Sequence, residues 1–192
     1  MTTEMWIIAA ARLAGSLPPL RWPFYGGIAA LLVDQSDLFM MNLIDLGGVR
    51  DYQSFDKYLD QAYLLVFLAI ALRWQGFQRS VAAGLYAYRF AGFAAFELTG
   101  SRGLLVFFPN LFEFWYLLVA GLRQFRAPEA AWLARPHLGE ARAAFRKPVL
   151  VVFAGLVALK VFQEYAIHRA RWLDGFTAVE AVEAIWRWLT PF

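Results

Sequence analysis

The chain has 192 residues, of which 60% are hydrophobic, 18% aromatic and only 17% charged, with a formal net charge of +3 and no cysteine. A soluble domain has about 45–50% apolar and about 25% charged residues, so the composition indicates an integral membrane protein with a single domain, 1–192. The lack of cysteine excludes disulfides and thiolate metal sites. The arginines lie between apolar runs rather than along one face, which argues against nucleic acid as a partner.

Five apolar runs approach the ~20 residues that a membrane-spanning helix needs. In chain order they are Trp22–Ile44, Tyr58–Trp74, Val81–Leu98, Leu104–Leu122 and Pro148–Ile167. Pro109 is expected to kink the fourth run, because proline removes a backbone donor.

Shorter segments flank these runs. Three of them have the composition or spacing of amphipathic interfacial helices: Met5–Leu13, 123–147 and 176–189. The predicted fold class is therefore all-α, a polytopic transmembrane helical bundle of about five spans with interfacial helices. We expect it in a membrane, the bacterial cytoplasmic (inner) membrane, with membrane lipids, other membrane subunits or a second copy of the chain as partners.

Six of the seven aspartates lie between Asp34 and Asp60. Asp34 and Asp37 are spaced i, i+3, and Asp56 and Asp60 are spaced i, i+4, so each pair shares one face of a helix. If the two helices are neighbours, four carboxylates face one point. Such an oxygen-rich site suits Mg²⁺ or Mn²⁺, and we predict these four residues as its metal ligands.

The same four positions resemble the signature of the CDP-alcohol phosphatidyltransferases, D-x2-D-G-x2-A-R followed by G-x3-D-x3-D. The chain has Asp34-Gln-Ser-Asp37 and, after eighteen intervening residues, Asp56-Lys-Tyr-Leu-Asp60. The other signature positions differ, because they hold Leu38, Met41, Asn42 and Tyr52. The resemblance implies a lipid-phosphate transferase in which divalent cations on the four aspartates bind the CDP diphosphate and Asp60 acts as the catalytic base.

A second interpretation gives these aspartates a structural role. They could pair with Arg50, Lys57 or Arg89 and only hold helices in position, because a buried carboxylate needs a partner. The chain would then be a non-catalytic membrane subunit of a larger complex.

Three further polar residues lie within apolar runs: Arg89, Asn110 and Glu113. Asn110 and Glu113 are spaced i, i+3 and share a helix face. An Arg89–Glu113 or Arg89–aspartate pair would explain them structurally. Alternatively the three form a substrate-binding site, because arginine binds phosphate oxygens in a bidentate manner.

Overall fold

The computed structural model describes residues 1–36, 40–41, 48, 52–100, 104, 107–127, 130–131, 134, 147–164, 180, 183, 186–187 and 190. Within them lie six α-helices: α1 (Thr3–Gly15), α2 (Pro23–Gln35), α3 (Tyr52–Ala71), α4 (Gly76–Thr99), α5 (Leu111–Gln124) and α6 (Lys147–Glu164). A short 3-10 helix, Pro18–Leu20, connects α1 to α2.

Several helix ends follow directly from local residues. The Thr2 hydroxyl accepts a hydrogen bond from the Met5 amide and caps α1. Pro23 occupies the first turn of α2, where its fixed φ suits a helix start. Gly100 ends α4 in the left-handed conformation, with φ of +65°. Pro109 lies just before α5, so it precedes this helix rather than kinking it as predicted.

Helix α5 lies at the centre of the bundle, packed against α2, α3, α4 and α6. Its Phe112, Trp115 and Tyr116 are fully buried, and Tyr116 stacks on Phe67 of α3 with ring centroids 3.9 Å apart. Helix α1 packs on α2 and α3 at the side of this core. The aromatic core therefore fixes α3 beside α5, and α1 closes the space between α2 and α3.

The membrane-spanning prediction is wrong for the described part of the chain, where no helix combines the length and the hydropathy needed to cross a bilayer. In the structure, two of the predicted spans contain only short helices. Helix α2 has 13 residues and stops before Ser36, whose hydroxyl donates back to the Val33 carbonyl. Helix α5 has 14 residues, because it begins only after Pro109. Both are well below the ~20 residues of a span.

The longer helices are continuous, but charged residues interrupt their apolar sequence. Helix α3 has 20 residues, but it begins six residues before the predicted run and includes Asp56, Lys57 and Asp60. Helix α4 includes Arg79, Arg89 and Glu97 along its 24 residues. Helix α6 begins at Lys147 and ends at Glu164. The apolar runs predicted the presence of these helices correctly. They did not predict that charged turns beside the runs belong to the same helices.

Other predictions fall partly or wholly outside the described residues. Asp37 and Arg50 lie there, as do most of the predicted interfacial helices 123–147 and 176–189. The predicted helix at Met5–Leu13 lies within α1, which packs on the bundle through Met5, Ile8 and Ala9.

Candidate functional site: a buried ion network

Three of the four predicted metal ligands meet at one point, and the group between them is the guanidinium of Arg12. One of its nitrogens bonds to Asp34 Oδ1 and lies 2.7 Å from Asp60 Oδ1, and the other lies 2.8 Å from Asp56 Oδ1. Arg12 is only 3% exposed. The structure thus brings Asp34, Asp56 and Asp60 together around a cation that belongs to the protein itself.

Three helices build this Arg12 cluster. Asp34 lies in the last turn of α2, whereas Asp56 and Asp60 lie in the first half of α3, which runs antiparallel to α2. Arg12 comes from α1, on the same inward-facing stripe as Glu4 and Ile8. Residues spaced by four lie on one helix face, so the packing of Ile8 aims Arg12 into the bundle.

Sequence reasoning missed Arg12 as the partner of the aspartates. It is 44 residues away from Asp56 and 48 from Asp60, and no local spacing links them. One signal was present. Arg12 lies four residues after Ile8, on the face that α1 buries, and a cation on a buried stripe requires an acidic partner inside the bundle.

Lys57 supplies a second cation to the same carboxylates. Its ammonium bonds to Asp56 and lies 3.1 Å from Asp60 Oδ2. Burial alone would raise the pKa of Asp60, but Lys57 and Arg12 outweigh it and hold this pKa below its usual value. Burial would lower the pKa of Lys57, yet Asp60 and Asp56 raise it in sum. Asp60 therefore stays ionised and is a weak base.

Asp34 differs from its neighbours. Burial, together with the negative charge of Asp60, raises the pKa of Asp34 to about 9 although Arg12 acts in the opposite direction. Arg12, Lys57 and Arg89 all favour the ionised form of Asp60, whose negative charge in turn opposes ionisation of Asp34. A proton on Asp34 therefore avoids placing another buried negative charge beside Asp60.

Glu113 is the centre of a second buried group. Its Oε1 accepts hydrogen bonds from the Tyr63 hydroxyl and the Asn110 side-chain amide. Its Oε2 lies 3.4 Å from the Lys160 ammonium of α6. Burial and the charges of Asp34 and Glu113 raise the pKa of Tyr63, so its hydroxyl keeps the proton that it donates. The Glu113 group thus ties α3, α5 and α6 together.

Arg89 does not join Glu113, one of the two partners expected for it, although its charge helps to lower the pKa of Asp60 after Lys57 and Arg12. It donates to the backbone carbonyl of Phe108, 2.8 Å away, just before α5. Gly92, one helical turn after Arg89, packs closely against the Phe108 side chain, and this contact brings the Phe108 carbonyl within reach of Arg89. Arg89, Asn110 and Glu113 are all buried, but the structure separates Arg89 from the other two. Their role in substrate binding stays a prediction.

Metal binding at this site is contradicted within the described residues, where no group of three or more acidic or histidine side chains could hold an ion. The physical reason is the guanidinium. The three carboxylates point at Arg12, and a divalent cation would have to displace it. The residues do not fit Mg²⁺ or Mn²⁺ as they are arranged. Asp37 lies outside the described residues, so its role as a ligand is not resolved.

No known protein family, curated protein or solved structure shows significant similarity to this chain. Its function must therefore be inferred from the residues themselves.

Proposed function

We propose that the chain is a non-catalytic subunit of a larger assembly, in which the buried charges fix the helices and an apolar face of α6 binds a second copy. Of the two functions considered from sequence, the geometry favours this one over the transferase. A transferase base must accept a proton, whereas Asp60 bonds to Arg12 and Lys57 and has a lowered pKa. The transferase stays a prediction.

The outer face of α6 carries the proposal. Five exposed residues recur at helical spacing: Val151, Ala154, Gly155, Ala158 and Leu159. None of them is charged, and the space beside Gly155 is open. Among the described helices, α5 is the main neighbour of α6 and covers the opposite face, where Lys160 is buried. A helix that is apolar on both faces requires a partner on each.

A second copy is the occupant that this face fits best. In a twofold interface the same patch meets itself, so like charges repel and an uncharged patch is self-complementary. Small residues at the centre let two helix backbones approach closely. Gly155 lies near the middle of the helix, so in an antiparallel pair it lies near the twofold axis.

Disulfide cross-linking tests this arrangement directly. The natural chain has no cysteine, so a single introduced thiol can link only two separate copies. We expect the full-length Gly155→Cys variant to form a covalent dimer under mild oxidation. The control is Leu98→Cys on α4, because Leu98 is 88% exposed but lies on another helix. It should stay mainly monomeric on a non-reducing gel.

A disruptive variant supplies the converse test. Leu159→Glu places a negative charge in the uncharged face, so we expect the assembly seen by sedimentation to dissociate, whereas Leu98→Glu should leave it intact. The proposal is contradicted if the natural chain sediments as a monomer, or if both cysteine variants cross-link equally.

A further inference from the structure

A groove lies at the end of the bundle opposite the Arg12 cluster, about 350 Å³ in volume. Eight residues line it: Leu20, Pro23, Ile70, Arg73, Trp74, Ala120, Arg123 and Gln124. From Asp60 to Arg73 the chain advances thirteen residues, roughly 20 Å at helical rise. The groove is therefore separate from the ion network.

The groove has an apolar floor and a basic rim. Ile70, Trp74 and Ala120 form the floor and are buried, whereas Arg73 and Arg123 are exposed on the rim. None of the eight lining residues is acidic. In the described part of the chain, neither arginine forms an ion pair with a carboxylate, unlike Arg12. The two guanidiniums are thus available to an anion from outside.

The negative ends of the helix dipoles offset only part of the positive charge around the groove. Helices α3 and α5 both end at the groove, and each helix C-terminus carries about half a negative charge. The two ends amount to about −1, against +2 from Arg73 and Arg123. Arg21, Arg79 and Arg126 lie in neighbouring turns of the same end and add to the positive field. A net positive potential remains.

We infer that this groove binds a phosphate-bearing amphiphile, with Arg73 and Arg123 on the phosphate oxygens and the apolar part against Trp74, Ile70 and Ala120. Arginine is the side chain best suited to phosphate, because its planar guanidinium donates two parallel hydrogen bonds. The volume matches a small ligand or a lipid headgroup with the start of its chains, since ligand pockets begin at about 300 Å³. The site is independent of the assembly through α6.

Two probes distinguish the possible sources of the phosphate. Glycerol phosphate, titrated calorimetrically into the full-length chain, represents a free phosphoester. Phosphatidylcholine vesicles with and without phosphatidylglycerol represent a lipid-borne one. Each arginine supplies charged hydrogen bonds, so Arg73→Gln and Arg123→Gln should each weaken binding of the probe by about tenfold or more.

The control is a double variant at the same end of the bundle, Arg21→Gln with Arg79→Gln. It removes the same charge as Arg73→Gln with Arg123→Gln, but neither residue lines the groove. Loss of binding in the groove pair alone supports the site, with the responding probe identifying the source. Equal losses in both pairs would show a diffuse surface charge and overturn the inference. If the natural chain binds neither glycerol phosphate nor the phosphatidylglycerol vesicles, the inference is also overturned.

Discussion

The two ends of the bundle use the same side chain in opposite ways. At the end formed by the α2 C-terminus and the α3 N-terminus, Arg12 is buried and contacts three carboxylates. At the other end, Arg73 and Arg123 are exposed around a groove whose lining has no acid. Burial and internal partners, rather than residue type, therefore decide whether an arginine stabilises the fold or serves a ligand.

The largest expected effect is the loss of Arg12. Arg12→Met removes the buried guanidinium that bonds to Asp34, Asp56 and Asp60, so we expect the free energy of unfolding to fall by about 3–5 kcal/mol. Chemical denaturation of the full-length chain measures it. The matched control is Arg73→Gln at the exposed end, which should change stability by only about 0.5 kcal/mol. Equal effects at both ends would remove the distinction between them.

Glu113→Gln should have a smaller effect. The amide can still accept hydrogen bonds from Tyr63 and Asn110, but Lys160 loses the charge of its partner. We expect a loss of about 1.5–3 kcal/mol, the usual contribution of a hydrogen bond to a charged group. Glu97→Gln provides a control, because Glu97 bonds to the exposed Tyr58 hydroxyl at the surface. A Glu113 variant as stable as that control would show that α6 does not depend on this contact.

The smallest effect at neutral pH is expected for Asp34→Asn, because the natural carboxyl is already protonated there. The folded pKa is about 9, far above the ordinary 3.8, so the folded state holds a proton that the unfolded chain has released. Stability from this group is complete below the ordinary value and declines as the pH rises toward 9. Asp34→Asn should remove that decline.

Asp60 gives the opposite sign and serves as the comparison. Its pKa is lowered in the folded state, so its contribution is lost as the pH falls below the ordinary range of aspartate. Asp60→Asn should therefore flatten the acid side of the stability profile. It should also shift the alkaline decline to lower pH, because the charge of Asp60 helps to raise the pKa of Asp34. An Asp34→Asn variant that keeps the alkaline decline would contradict the assignment of the proton to Asp34.

The helices and the shared face of Asp56 and Asp60 could be read from the sequence, because apolar runs and i, i+4 spacing are local. The face predicted for Asp34 and Asp37 falls partly outside the described residues. Helix lengths could not. An apolar run continues through Ser36 to Ile44, and its composition does not show that α2 stops at Gln35. Similarly, polar residues at the start of α3 belong to its helix although they interrupt the apolar pattern.

Local sequence patterns could not identify which residues pair with each other in the ion network. The Arg12–Asp60 and Glu113–Lys160 contacts join residues 48 and 47 positions apart. Charge alone allowed other pairings, such as Arg89 with Glu113. The packing of α1 against α3, and of α6 against α5, decided which cation reached which carboxylate.

A double-mutant cycle between Arg12 and Asp60 measures whether these two buried charges stabilise the fold through each other. The cycle uses Arg12→Met, Asp60→Leu and the double variant, with unfolding free energies measured by denaturant titration. We predict a coupling energy of about 1–3 kcal/mol, because the two groups are in contact. Changes that add to within about 0.5 kcal/mol, as they do for distant sites, would show that the two charges do not stabilise the fold through each other.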